Sequence, residues 1–427
     1  MDTPKIPPPR DEGEKQVLKE LELILSELQI LRADRANYVR SQDVMVLHDR
    51  TIEQVRRLNE IRQGKKTEEN RVDRVVDSCF QLLSLFFMTI GRNKEAPAAY
   101  ALTSTIKRLL DHLTEADLFS EKDLASMSHT LKRLSGILEK AQLEDDSTPF
   151  LLTLLSNRIE RCQDTLKALK KRLEDYAKPI LATHEKLVSI LRQMAAINTK
   201  SKFKPEDIHK AQAHLKDIDE RRVNGQFVDE DGNVLAGSDQ VSSLLDRCQR
   251  YTHVVLERAG NIPEQWKPLY SVLVGIRNEL DKLSLTQAWS LRETDLYDFQ
   301  RQLDKIDESR VDGNWLDEHG RPAELYVQRT LLYLIRRSYG YIYHLMISSE
   351  PVSEALLPVY NQLQTLKRCL IELTSIDNLQ KDGKFMVGDD IPEGQGAVLD
   401  LLNECFDRCY KLRLVATEAE EAAAEQA

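Results

Sequence analysis

Side chains able to do chemistry are plentiful in this sequence, yet few stand at the spacings chemistry requires. Gly394-Gln395-Gly396 precedes a helical stretch, and a glycine turn at a helix N-terminus can bind anions. The third glycine and the preceding strand of a nucleotide cradle are missing, so a plain turn is expected. Cys405 and Cys409 share one helix face, but no histidine nearby in sequence completes a metal set. His209 and His214 fall on different faces, and Asp229-Glu230-Asp231-Gly232 lacks the spacing of a calcium loop. No Gly-x-Ser-x-Gly, His-Glu-x-x-His, Cys-x-x-Cys or Gly-x4-Gly-Lys-Ser/Thr string occurs. The expectation is a protein that is not an enzyme, with no catalytic residues, no metal site and no cofactor.

Two denser groups remain. Lys167, Lys170, Lys171 and Arg172 close a helix, where cations complement the helix dipole without any partner. Tyr326, Tyr333, Tyr339, Tyr341 and Tyr343 crowd another helix. Buried tyrosines reach polar groups with their hydroxyls, so packing is expected there, with a groove for a partner peptide as the alternative. Sixty basic against 70 acidic residues give a net charge of −10, which argues against general nucleic-acid binding.

The elements that carry these residues repeat. From origins at Leu18, Tyr100, Leu181, Tyr270 and Tyr360, the sixth residue on is Ile24, Ile106, Leu187, Ile276 and Leu366. The tenth is Leu28, Leu110, Leu191, Leu280 and Leu370, and the thirteenth is Leu31, Leu113, Met194, Leu283 and Leu373. Steps of four and three keep these side chains on one face of a helix. A proline, Pro97, Pro179, Pro268 or Pro358, stands just before each of the last four origins, where a first helical turn accepts it. Cys79, Cys162, Cys248, Ser338 and Cys409 mark one shared place on a later helix, suited to a small buried residue. With only 16 glycines and 14 prolines in 427 residues, breakers are few.

The fold class expected is all-α: an array of about five three-helix repeats forming an elongated helical-bundle or solenoid-like body. The units are residues 15–96, 97–178, 179–267, 268–357 and a shortened 358–416. A proline-rich arm, 1–14, precedes them, and an acidic, alanine-rich tail, 417–427, is expected to fray.

Between the second and third helices the pattern leaves helix. Ile218-Asp219 through Asn224-Gly225-Gln226-Phe227-Val228 matches Ile306-Asp307 through Asp312-Gly313-Asn314-Trp315-Leu316, and more weakly Ile376-Asp377 through Gly383-Lys384-Phe385-Met386. Asn-Gly and Asp-Gly favour positive φ, predicting a short hairpin or compact loop. The aromatic is read chiefly as a plug between helices. The candidate partner-binding residues are Asp229, Glu230, Trp315, Asp317 and Glu318, whose acidic rim would face a basic partner segment.

Val311-Asp312-Gly313-Asn314-Trp315-Leu316-Asp317-Glu318 and Leu331-Leu332-Tyr333-Leu334-Ile335-Arg336-Arg337-Ser338-Tyr339-Gly340-Tyr341 carry a resemblance. The chain resembles the fungal uncharacterised protein family 0662, whose shared module is domain of unknown function 2408. The resemblance spans nearly the whole chain and implies a fungal protein, cytoplasmic and also nuclear, with no catalytic residues to transfer.

The segment Met1 to Arg10 holds an acidic residue and four prolines where a secretory leader needs a basic patch and an apolar run. Leu82 to Ile90, the most apolar stretch, is far short of the roughly 20 residues a membrane span takes, so a buried helix and no transmembrane segment are expected. The function expected is a non-enzymatic scaffold or adaptor that binds protein partners. Two alternatives stand beside it. A small-ligand-binding protein or enzyme would show a polar pocket with perturbed ionisable groups, and a membrane-peripheral or nucleic-acid-associated protein would show a connected basic face.

Overall fold

The computed structural model describes residues 6–63, 69–143, 149–200, 204–381, 384–386 and 395–425. Helix takes up 78% of the described residues, so the all-α expectation holds. In chain order the helices are α1 (Glu12–Ala33), α2 (Ser41–Arg62), α3 (Arg71–Thr89), α4 (Ala99–Ala116), α5 (Glu121–Leu143), α6 (Pro149–Glu174) and α7 (Lys178–Asn198). They continue with α8 (Pro205–Asp219), α9 (Ser238–Arg258), α10 (Lys267–Ser290), α11 (Leu296–Glu308), α12 (Leu325–Ile347), α13 (Leu357–Asp377) and α14 (Gln395–Glu425). The strands described are β1 (Gln380–Lys381) and β2 (Lys384–Phe385), paired antiparallel. The chain divides into two compact parts, residues 1–355 and 356–427.

Within residues 1–355 the helices come in four sets of three, and in each set the first helix packs on the third. The periodic stripe explains why. Ile24 and Leu28 on α1, Ile106 and Leu110 on α4, Leu187 on α7, and Ile276 and Leu280 on α10 are all buried. The shared small residue lies on the third helix of each set. Cys79, Cys162, Cys248 and Ser338 are buried there, and the Cys79 and Cys248 thiols point at the Leu21 and Leu187 carbonyls of their own first helices. A bulkier side chain at this place would hold the two helices apart.

Contacts are not confined to neighbouring sets. The helices apolar on most of their circumference are those that several elements surround, as burial on all sides requires. On α3, every residue from Ser78 to Thr89 is buried, and this helix meets α1, α2, α4 and the turn before α11. On α12, the run from Tyr326 to Met346 packs on α10 and α11 of its own set, and on α4 and α7. The fourth set therefore lies against all three that precede it.

Polar ties run across the same seams. Arg292 donates to the Asp34 and Asn37 carbonyl oxygens and to Glu354. Asp307, the aspartate of the recurring Ile-Asp pair, is contacted by His112, Arg108 and Arg310. Burial would raise the Asp307 carboxyl, but its hydrogen bond to His112 and the nearby cations hold it down at about 2. Asp219 holds the matching position and likewise engages the arginine three residues on, Arg222. The recurring pair is thus a structural fastener for the loop that follows it.

Residues 356–427 are built differently. Helix α13 carries the first-helix stripe and α14 the third-helix mark, but the described chain between them holds the β1–β2 hairpin and no second helix. Leu366 is 59% exposed and Leu370 is 50% exposed, where their counterparts Ile106 and Leu110 are fully covered. Cys409 is only half-buried, unlike the other cysteines at its place. Helix α14 continues into the alanine-rich tail as far as Glu425, in keeping with the helix propensity of Ala and Glu.

Candidate functional site: a cavity lined by arginines

The two long loops fold as their turn residues dictate. Asn224 and Gly225 both take positive φ, as do Asp312 and Gly313, closing the tight turns Val223 to Gln226 and Val311 to Asn314. A second turn follows in each. Asp229 accepts from the Asp231 and Asn233 amides, and Asp317 from those of His319 and Arg321. These two carboxylates are therefore occupied in shaping the loops, while Glu230 and Glu318 are exposed.

The aromatics turn inward. Trp315 is 1% exposed and Phe227 is buried, while Phe385 is half-buried in its own hairpin. Each is braced by the helix that follows it. The Trp315 amide donates to Gln328 Oε1 and Gln328 Nε2 donates back to the Trp315 carbonyl. Gln395 makes the same pair of bonds with Phe385, and Ser238 Oγ accepts from the Phe227 amide. Arg310 stacks over the Trp315 ring at 5.3 Å. Trp315 is a plug between its loop and the helix that follows.

One face of that plug borders a cavity of about 260 Å³, enclosed by the C-terminal end of α4, by α7, α9 and α12, and by the turn at Gly313. Arg192 on α7, Arg247 on α9, and Arg329 and Arg336 on α12 converge on it, with Tyr251 and Tyr333 between them. Arg329, Tyr333 and Arg336 share a face because they stand four and three apart. Leu191, Ala195 and Leu332 supply an apolar wall. Glu115 is the one acidic residue of the lining, and Arg310 engages it at 2.6 Å.

The four arginines are held to different degrees. Arg192 pairs with Asp123 at 2.6 Å, and Arg247 donates to the Ala116 and Asp117 carbonyls where α4 ends. That carbonyl end carries partial negative charge, which suits a guanidinium. Arg329 and Arg336 have no hydrogen bond or ion pair among the described residues. Burial, with Arg247 and Arg250 adding to it, lowers the Arg329 pKa. Burial and the nearby Arg192 bring Arg336 down to about 10, so it stays charged at neutral pH. Burial raises the Tyr333 hydroxyl, which stays protonated. The arrangement is equipped to hold an anion and to stack a flat group.

Of the remaining tyrosines of α12, Tyr341 lies at the surface, its hydroxyl bonded to Asp281 and Arg337, and the other three are packing residues. Tyr326 donates to Asn198 Oδ1 at 2.9 Å, Tyr339 to Asp304 at 2.6 Å, and Tyr343 shares a hydrogen bond with Thr130 at 2.8 Å. In the basic run, Arg172 pairs with Asp117 and stacks over Phe119, and Lys170 reaches Ser128, so it too serves the fold. Gly394 lies outside the described residues. No group of three or more His, Cys, Asp or Glu is placed to hold a metal among the described residues, and no described helix is long and apolar enough to cross a membrane.

The sequence profile of the family described as "Protein of unknown function (DUF2408)" matches residues 173–293, from the end of α6 to the start of the fourth set's second helical element. A CUB1 family protein of Schizosaccharomyces pombe is 34% identical, over 94% of this chain and 93% of its own length. The Cu(2+) suppressing and bleomycin sensitive protein 1 of Saccharomyces cerevisiae is 32% identical, over 97% of this chain and 92% of its own length. No solved structure matches the chain. The fungal resemblance carried by the Asp-Gly-Asn-Trp and Arg-Arg-Ser-Tyr segments is borne out over nearly the whole length, and the chain belongs to the CUB1 family.

Proposed function

We propose that the protein is a non-enzymatic helical scaffold or adaptor that works by binding protein partners, in the cytoplasm and also in the nucleus. The observation that carries this reading is the bare stripe on α13. Leu363, Leu366 and Leu370 are exposed on a helix whose counterparts α1, α4, α7 and α10 bury the same face. The second helix of a set, present in the four earlier sets, has no described counterpart beside α13. An amphipathic helix from a partner would supply the missing contact, each buried leucine contributing about 1.5–3 kcal/mol.

The ionisable groups support binding over catalysis. Burial pushes the Cys79 and Cys248 thiols up to about 12 and Cys162 to about 11, which keeps them from acting as nucleophiles. The cavity presents four arginines and no histidine or cysteine. Glu230 and Glu318 remain available at the loop tips for a basic partner segment.

The test is a Leu366→Glu, Leu370→Glu double variant of the full chain, compared with wild type by salt-washed affinity purification and quantitative mass spectrometry. Partners recovered with wild type should drop at least about tenfold with the variant, while its helix content is unchanged. Equal recovery of the same partners would remove α13 as the docking element. Charge reversal at Glu230 and Glu318 tests the loop tips in the same way.

A further inference from the structure

Several arginines held within residues 1–355 are matched by carboxylates from the fold itself. Arg62 has Glu14 and Asp73, Arg108 has Asp304, Asp307 and Glu308, and Arg292 has Glu354. A second polar cavity, lined by Asp77, Lys107, Arg108, Arg158, Arg161 and Asp304, sets two carboxylates among its cations, with Arg158 and Arg108 facing Asp77 and Asp304. The cavity beside Trp315 differs. Four arginines line it, two of them without a hydrogen bond or ion pair among the described residues; the lining's one carboxylate is already taken by Arg310, and Asp123, which favours the charge on Arg336, is paired with Arg192.

Like charges brought together in a part-desolvated space repel, and the arrangement persists at a cost to the empty protein. A countercharge from outside the chain relieves that cost. The fork of a guanidinium matches the tetrahedral oxygens of phosphate, and several guanidiniums at one place suit a group with two or more negative charges in a small volume. At about 260 Å³ the cavity lies just below the range of drug-sized pockets, so a compact ligand fits and a folded chain does not. Tyr251, Tyr333 and the edge of the Trp315 plug add flat surfaces that a ring can lie against.

We propose that this cavity is a binding site for a small organic phosphate, with two or more negative charges gripped by Arg192, Arg247, Arg329 and Arg336 and the body of the molecule resting on Tyr251 and Tyr333. The site is separate from the docking reading, which rests on residues 356–427. Because α4, α7, α9 and α12 come from three different sets, a bound phosphate ties those sets together. Occupancy then raises the stability of residues 1–355 as a whole.

Isothermal titration of the full-length protein at low salt, with inorganic tripolyphosphate, a nucleoside triphosphate and an inositol polyphosphate as probes, tests the site. At least one probe should bind with one-site saturation and weaken as salt is added. An Arg329→Gln, Arg336→Gln double variant should bind that probe at least about tenfold more weakly, whereas Arg56→Gln, an exposed arginine on α2, should bind it as wild type does. The double variant without ligand should melt at or above the wild-type temperature, because repulsion is relieved. Failure of all three probes to saturate, or equal affinity in the double variant, overturns the proposal. A double variant melting well below wild type also counts against it, since the pair would then have a partner within the fold. A phosphoserine peptide binding tenfold more tightly than every small probe would overturn the small-molecule assignment.

Discussion

Trp315→Ala is the substitution whose effect the structure specifies most fully. The side chain is 1% exposed, so truncation removes a complete indole from a packed environment, at about 3–5 kcal/mol. The Arg310 stack at 5.3 Å adds about 0.5–1 kcal/mol at most. The Gln328 brace grips the backbone of residue 315 and survives the change. Indole Nε1 has no hydrogen-bond partner, so no hydrogen bond of the ring is lost. Trp315→Phe should therefore cost much less than Trp315→Ala, and Phe227 and Phe385 already occupy the matching places in the other two loops. Urea unfolding of wild type and both variants, followed by circular dichroism, measures the differences. A loss below about 1 kcal/mol for Trp315→Ala would refute the plug and return Trp315 to the role of a surface anchor.

Leu110→Ala should destabilise by about 2–5 kcal/mol while Leu370→Ala, at the same place in the pattern, should stay within about 0.5 kcal/mol of wild type in the same unfolding assay. His184 is buried between Phe119 and Tyr176, and burial lowers its pKa to about 4 from 6.5. A depressed histidine means that the unfolded chain takes up the proton first. Stability attached to His184 is whole above pH 6.5 and falls by on the order of 3 kcal/mol as pH drops towards 4; His184→Phe should flatten that part of a stability–pH curve. In thiol labelling of the native protein Cys369 should react rapidly and Cys79, Cys162 and Cys248 only on unfolding. Cys248→Ser should cost less than about 1.5 kcal/mol, because Ser338 sits at the matching place and satisfies its hydroxyl on the Leu334 carbonyl.

Local pattern carried the helices and the loops. Stripes at steps of four and three located the first helix of each set, and Asn224-Gly225 and Asp312-Gly313 marked turns that do take positive φ. Continuous apolar character in α3 and α12 signalled helices buried on several sides, but which helices surround them is a matter of long-range packing that no local pattern encodes. The Ile-Asp pair stood out by similarity alone; its role emerged when Asp307 was seen to gather His112, Arg108 and Arg310 from two sets. Candidate site residues Asp229 and Asp317 looked like a free acidic rim because a carboxylate that caps its own turn reads the same in sequence as one facing solvent. The arginine cavity was the least legible feature. Its charges come from α7, α9 and α12, and only Arg329 and Arg336, seven apart on α12, share a recognisable face; the net charge of −10 conceals them further.

Crosslinking mass spectrometry on the protein purified from its own cells under salt-washed conditions tests the binding-scaffold account most directly. The account predicts a stoichiometric protein partner whose crosslinks gather on α13, residues 357–377, where the uncovered stripe runs. A chain recovered without any stoichiometric partner, or partner crosslinks confined to residues 6–355 and away from the loop tips at Glu230 and Glu318, would contradict it.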